Sequence, residues 1–199
     1  MDSTYQDALE LAETAVQSAQ AVMEHVGPER DGPCPCEGWT VATLVDKMVT
    51  SHLLMTCIMR GEAPGPELDI LFPKQVAGDD PGASHAAAAA DFFTAFRAND
   101  PDAQAPGPLG MPMGMTDQAN LRAMDSTLNT WDLAEALGVD HGIGTDQAER
   151  VLAFASDFLP RVRTTDAGGH TRFAEADADP TGDPLTDLIL LSGRRLDWR

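Results

Sequence analysis

Two polar sets in this sequence are spaced so that they could support chemistry. In "VATLVDKMVTSHLLMTCIMR", Lys47 and Ser51 stand one helical turn apart, with Leu54 following on the same face. In "LRAMDSTLNTWDLAEALG", Asp125, Asn129 and Asp132 recur at i, i+4 and i+7, an acidic and amide stripe beside Leu121, Leu128 and Leu133. A partly desolvated lysine polarises a carbonyl, donates a proton or forms a Schiff base, and a carboxylate accepts a proton. The same residues also suit a water-facing stripe and a snorkelling surface lysine. Spacing alone leaves both readings open.

Weaker candidates surround these. Cys34-Pro35-Cys36 resembles a metal or redox pair, although a single C-x-C without a second pair equally suits packing in a turn. The run Met111-Pro112-Met113-Gly114-Met115 offers thioethers to a soft Cu(I) ion, or flexible apolar lining near a pocket. With Met48, Met55, Met59, Phe72 and Trp131, such a lining would suit an irregular apolar ligand. His52 lies about 140° around the helix from Lys47. His25, His85, His141 and His170 fall at helix ends or in loops, with no two at ligand spacing. A metal site combining His52 with Asp125 or Asp132 is the remaining metal arrangement. There is no Ser-His-Asp pattern and no phosphate-cradling glycine loop, so nucleotide chemistry is not indicated.

The elements that must position these residues read as helices. The 199 residues, 43% hydrophobic and 23% charged, suit one soluble globular domain over 1–199. A net charge of -19 argues against nucleic acid or an anionic membrane as partner and fits action on a small molecule. An acidic amphipathic start without an apolar run is no secretory signal. Three cysteines are too few for a disulfide scaffold, so a cytoplasmic location is expected. No stretch approaches 18 consecutive apolar residues, and no membrane span is expected.

Ala8, Leu11, Ala12, Ala15, Ala19, Val22 and Val26 predict a first helix over 4–26, ended by Gly27-Pro28. Thr40 is expected to cap a second over 41–60, and Ser84 a third reaching Arg97. Thr116 should cap a fourth that stops at Gly138, and Thr145 should open a fifth ending before Pro160. A short helix within 183–193 follows an irregular stretch at 161–182, where Thr171-Arg172-Phe173 could be extended. The connection 61–83, with a buried-looking centre at Leu68, Ile70, Leu71 and Phe72, has the length of a lid or binding loop. Four long helices plus smaller ones make an all-α bundle. The long connection allows an up-down-down-up path. A homodimer through exposed helix faces is left open.

"PCEGWTVATLV", "LNTWDLAEALG" and "LLSGRRLDW", in that order, resemble the DinB-like metal-binding proteins of the type found as the N-terminal domain of mycothiol-dependent maleylpyruvate isomerase. The resemblance implies a four-helix up-down-down-up bundle, a divalent metal such as zinc, and isomerisation or group transfer with a mycothiol-type thiol. It also implies where the metal ligands should be. The family's first histidine comes eight residues after the Trp of the Gly-Trp-Thr turn, a place held here by Lys47. Its acidic residue and second histidine correspond to Asp125 and Asn129, ahead of Trp131 and Asp132.

A protonated amine does not ligate a metal, and an amide is a poor zinc ligand beside imidazole. The resemblance therefore predicts a converted site without metal. In it the Lys47 ammonium replaces the cation, and Asp125 and the Asn129 carbonyl accept its hydrogen bonds. Lys47, Asp125 and Asn129 become the expected catalytic residues, with Asp125 as base. Ser51, Met55, Met113, Trp131 and Asp132 are expected around the substrate. The leading expectation is a cofactor-free isomerase, cyclase or lyase acting on a small, largely apolar molecule. The alternatives are a metal- and thiol-dependent isomerase or S-transferase with altered ligands, and a non-catalytic binding protein.

Overall fold

The apolar stripe of the N-terminal segment becomes α1 (Ser3–Met23), which buries Ala8, Leu11, Ala12, Ala15, Ala19 and Val22. The computed structural model describes residues 3–70, 73–107, 110–163, 173, 175 and 179–198. Leu71, Phe72, His170, Thr171 and Arg172, all named above, lie outside the described residues. α2 (Val41–Arg60) starts where expected: the Thr40 hydroxyl accepts the Thr43 amide at 3.2 Å. It ends on Gly61 at φ 68°, a left-handed turn that glycine adopts without a Cβ clash.

Three helix boundaries differ from expectation. α3 (Pro81–Arg97) begins ahead of Ser84, because Asp80 caps it by accepting the Ala83 amide at 2.9 Å. Pro81 then occupies a first-turn position where a missing N–H costs nothing. Ser84 instead donates its hydroxyl to the Ala77 carbonyl at 2.8 Å. α4 (Met115–Leu137) has Gly114, not Thr116, at its cap, because it grows directly out of a small hairpin. That hairpin pairs β1 (Gln104–Pro106) antiparallel with β2 (Pro112–Gly114), two strands that helical periodicity could not announce. α4 does stop at Gly138, φ 69°. α5 (Thr145–Val162) continues through Pro160. The proline is exposed in the last turn, where a lost hydrogen bond leaves no buried polar group, and the Arg163 amide still reaches the Leu159 carbonyl at 2.9 Å. α6 (Pro184–Leu191) is capped by Asp183.

α1 packs against α4 and α3, and α2 against α3 and α4, so these four form the bundle, with α5 laid against α4 and α1 and α6 against α5. One apolar core gathers Phe92, Phe96, Leu128, Phe158 and Leu159; a second gathers Val22, Leu44, Val45 and Leu133. Complete burial of each such side chain stabilises by roughly 1.5–3 kcal/mol. α2 is the one helix among the described residues long and apolar enough to cross a membrane by length and composition, and 56% of that stretch is buried inside the bundle. Its apolar face is spent on the core. The long connection after α2 is pinned back onto it, since Asp46 accepts the Val76 and Ala77 amides at 2.9 Å each.

Candidate active site

A cavity of about 1270 Å³ opens between α2, α4, the 61–80 connection and the segment after α6. Its walls are largely apolar, with Leu54, Met55, Ile58, Leu121, Leu128 and Trp198 among them. Lys47, Ser51, Asp125 and Asn129 line it too, so α2 and α4 bring together residues 78 positions apart. Lys47 donates from Nζ to Asp125 Oδ1. Asp125 Oδ2 receives the Ser51 hydroxyl at 3.1 Å and the Arg122 guanidinium. Arg122 also donates to Ser51 Oγ at 2.8 Å, closing a ring of three side chains to which Lys47 is attached through Asp125.

The electrostatics follow from this ring. Burial draws the Lys47 ammonium below its ordinary pKa, and the Asp125 charge opposes that fall. Burial alone would raise the Asp125 carboxyl, but Lys47 and Arg122 hold it far below the usual carboxylate range. Asp125 is therefore ionised, with 28% of its side chain still open to the cavity.

Asn129 sits one turn further on, 2% exposed. No hydrogen bond joins it to Lys47, contrary to the expectation that its carbonyl accepts there. Its Nδ2 has no partner at all. Asp132, two turns beyond Asp125, is wholly buried and does not line the cavity. Both of its oxygens are gripped by Arg194 at 2.7–3.0 Å, and Cys36 Sγ lies 3.4 Å from Oδ2.

Met113 and Trp131 also fall outside the cavity wall. Met113 packs under Gly107, where a Cβ would meet its sulfur at 2.2 Å, and Trp131 borders a separate cavity of about 320 Å³ beside α6. Met55 is the expected substrate-side methionine that lines the site; Met48 and Met59 belong to the core. Leu68 and Ile70 of the long connection form part of the wall.

Two participants, Arg122 and Arg194, and one buried contact, between His52 and His85, escaped the sequence reading. Arg122 precedes Asp125 by three residues, a helical ion-pair spacing that could have been noticed. Arg194, within "LLSGRRLDW", reaches Asp132 only through the fold. His52 and His85 meet at 3.3 Å between Nε2 atoms, on α2 and α3, and His85 Nδ1 contacts Gln20 Oε1 at 2.8 Å. Neither imidazole lines the cavity.

The donor chemistry does not fit a divalent metal. The one carboxylate in the cavity floor is already shared by an ammonium and a guanidinium, and its neighbour along the helix is an amide. Among the described residues no group of three or more His, Cys, Asp or Glu side chains converges as a ligand set.

The mycothiol maleylpyruvate isomerase N-terminal domain family matches residues 11–134. Two solved structures share the fold. The crystal structure of the mycothiol-dependent maleylpyruvate isomerase aligns at TM-score 0.61 and 18% identity, covering 78% of this chain and 71% of that one. A histidine-to-alanine mutant of a mycothiol-dependent maleylpyruvate isomerase aligns at 0.62 and 16%, covering 86% and 82%. No curated protein sequence matches the chain. The helical pairing, the sequence motifs and the family match agree, and the chain belongs to the mycothiol maleylpyruvate isomerase N-terminal domain family, with its DinB-like all-α fold.

Proposed function

We propose that this chain is a metal-independent enzyme of isomerase, cyclase or lyase type acting on a small, largely apolar molecule with a carbonyl or anionic oxygen. One observation carries the reading: the Lys47–Asp125–Arg122–Ser51 cluster stands in the floor of a large, mainly apolar cavity. At the floor Lys47 and Arg122 share the single carboxylate of Asp125, while Glu37, Asp69, Asp197 and Arg195 stand elsewhere in the wall.

In this reading Lys47 is the acid. Its lowered pKa eases proton transfer to an oxygen that becomes negative in the transition state, and the neutral amine can then recover a proton from carbon. Asp125 is the counter-ion that aims Lys47, not the base expected from the sequence, because two cations make its carboxylate a weak proton acceptor. Arg122, almost fully buried, keeps Asp125 in place.

The test works before any substrate is identified. A panel of apolar keto acids and enones in deuterated buffer is followed by NMR for exchange at carbon. Lys47→Met is expected to lower exchange by about 10²- to 10⁴-fold while retaining ligand binding. Exchange at the wild-type rate in that variant would reject the assignment. A second reading rests on size. The cavity exceeds the roughly 300–1,000 Å³ of ordinary ligand sites, leaving room for a thiol cosubstrate such as the one named for the structural relatives. Turnover that appears only on adding a small thiol would favour it.

A further inference from the structure

The cavity changes character along its length. On α2 its wall begins with the polar Lys47 and Ser51 and continues, turn by turn, as Leu54, Met55 and Ile58. α4 runs the opposite way beside it. Lys47 bonds Asp125, and Ser51, one turn on, bonds both Asp125 and Arg122, so rising numbers on α2 meet falling numbers on α4. Leu121, the cavity residue just before Arg122, therefore falls at the level of Leu54 and Met55.

The charged wall residues Glu37, Arg195 and Asp197 belong to segments tied to α4 at its other end, where Cys36 and Arg194 meet Asp132. The polar cluster thus separates a charged arm from an apolar one. The apolar arm extends about 10 Å along α2 from Ser51 to Ile58. Its far end is closed by the hairpin. β1 packs against both α2 and α4, and Gln118, wholly buried one turn before Arg122, donates to the Ala105 and Pro106 carbonyls at 3.1 Å each. Pro106 and Gly107 line the cavity beyond Leu121. Leu54, Met55, Ile58 and Leu121 are each only half-buried, so the arm keeps apolar area that a ligand can cover.

We infer that this arm takes the hydrocarbon tail of a straight-chain acyl compound, whose oxo, enoyl or carboxylate end lies at Lys47 and whose chain runs along α2 towards Pro106. The placement of the polar end rests on the Lys47 reading above; the placement of the tail does not. Shape selects an unbranched chain. The arm is a slot between two antiparallel helices with polar groups at one end only, and a compact ligand held at Lys47 would leave Ile58 uncovered. Ile58 and the hairpin at Pro106 then set the longest chain that fits.

The test is isothermal titration calorimetry of the full chain with straight-chain carboxylates from hexanoate to tetradecanoate. Affinity is expected to rise about three- to fourfold per added methylene and to level off once the arm is full. Ile58→Trp and Leu121→Phe, on opposite walls, should each bring the levelling to a shorter chain while hexanoate binds as to the wild type. Affinity independent of chain length would overturn the proposal, and so would levelling at the wild-type length in both variants. Tighter binding of a bulky cyclic acid than of the straight-chain acid of equal carbon number would overturn it too. Lys47→Met should weaken every acid by the same factor and leave both the increment per methylene and the levelling point unchanged. Wild-type proton exchange in that variant would therefore reject the Lys47 assignment alone, whereas a flat chain-length series would reject the tail site alone.

Discussion

Asp125 and Asp132 stand two turns apart on one stripe of α4, and the fold has given them opposite environments. Asp125 keeps part of its side chain open to the cavity and is held by three side chains, Lys47, Ser51 and Arg122. Asp132 is sealed, with Arg194 on both oxygens and Cys36 beside it. The first carboxylate organises cations that a ligand can meet. The second ties the segment after α6 to the bundle and so closes one wall of the cavity. Periodicity along a helix says which residues share a face, while the partners brought by other elements decide which of them can do chemistry.

The comparison can be broken first at its sealed end. Arg194→Met leaves Asp132 buried without its counter-charge, and unfolding in urea should show a loss of about 3–5 kcal/mol. A loss below about 1 kcal/mol would mean that the clamp is not structural. Lys47→Met should cost far less, about 1 kcal/mol, because Arg122 and Ser51 still hold Asp125. Stability and turnover should therefore rank the two variants in opposite orders.

Acid sharpens the contrast by adding a third buried cluster. Burial, helped by Arg122, holds His85 down to about 4 and His52 well below its ordinary value; His85 bears on His52 too, Lys47 adds to the effect there, and Asp125 opposes it. Both imidazoles are neutral in the folded protein and take up protons more readily when unfolded. Their contribution is thus fully present above about pH 6.5 and is lost as pH falls below it, for His85 down towards 4. His85 contributes a slope of up to about 1.4 kcal/mol per pH unit inside that window. Asp125, shifted downward, holds its contribution until pH falls below its unfolded value near 3.8, so the acid loss comes in two stages. Urea midpoints between pH 7 and 4 should decline less steeply in His85→Gln, and an unchanged slope would remove the pair from this account.

Much of the fold was legible because α1 and α2 carry clear stripes and Thr40 and Gly138 are strong local punctuation. Ser84 misled because an Asp-Pro pair four residues earlier makes a better start. Pro160 misled because an exposed last turn tolerates a lost hydrogen bond. At the site, Lys47 and Asp125 could be matched through the spacing of family motifs, and the fold brings them into contact. Arg122 stands at a legible helical-pair spacing from Asp125, but that spacing says nothing of its burial or of its bond to Ser51. Arg194 and the His52–His85 contact were not legible, since partners 62 and 33 residues apart meet only through packing.

The positive floor lies inside a chain of net charge -19, and this sets how an anionic ligand arrives. At a distance the ligand meets repulsion from the whole surface; at contact with the floor it meets Lys47 and Arg122 around one carboxylate. Added salt screens the first over a Debye length of about 10 Å at 0.1 M and reaches the buried floor much less. Association should therefore quicken with ionic strength while dissociation changes little, the reverse of the salt response of electrostatically steered binding. Stopped-flow traces across a salt series would display that inversion.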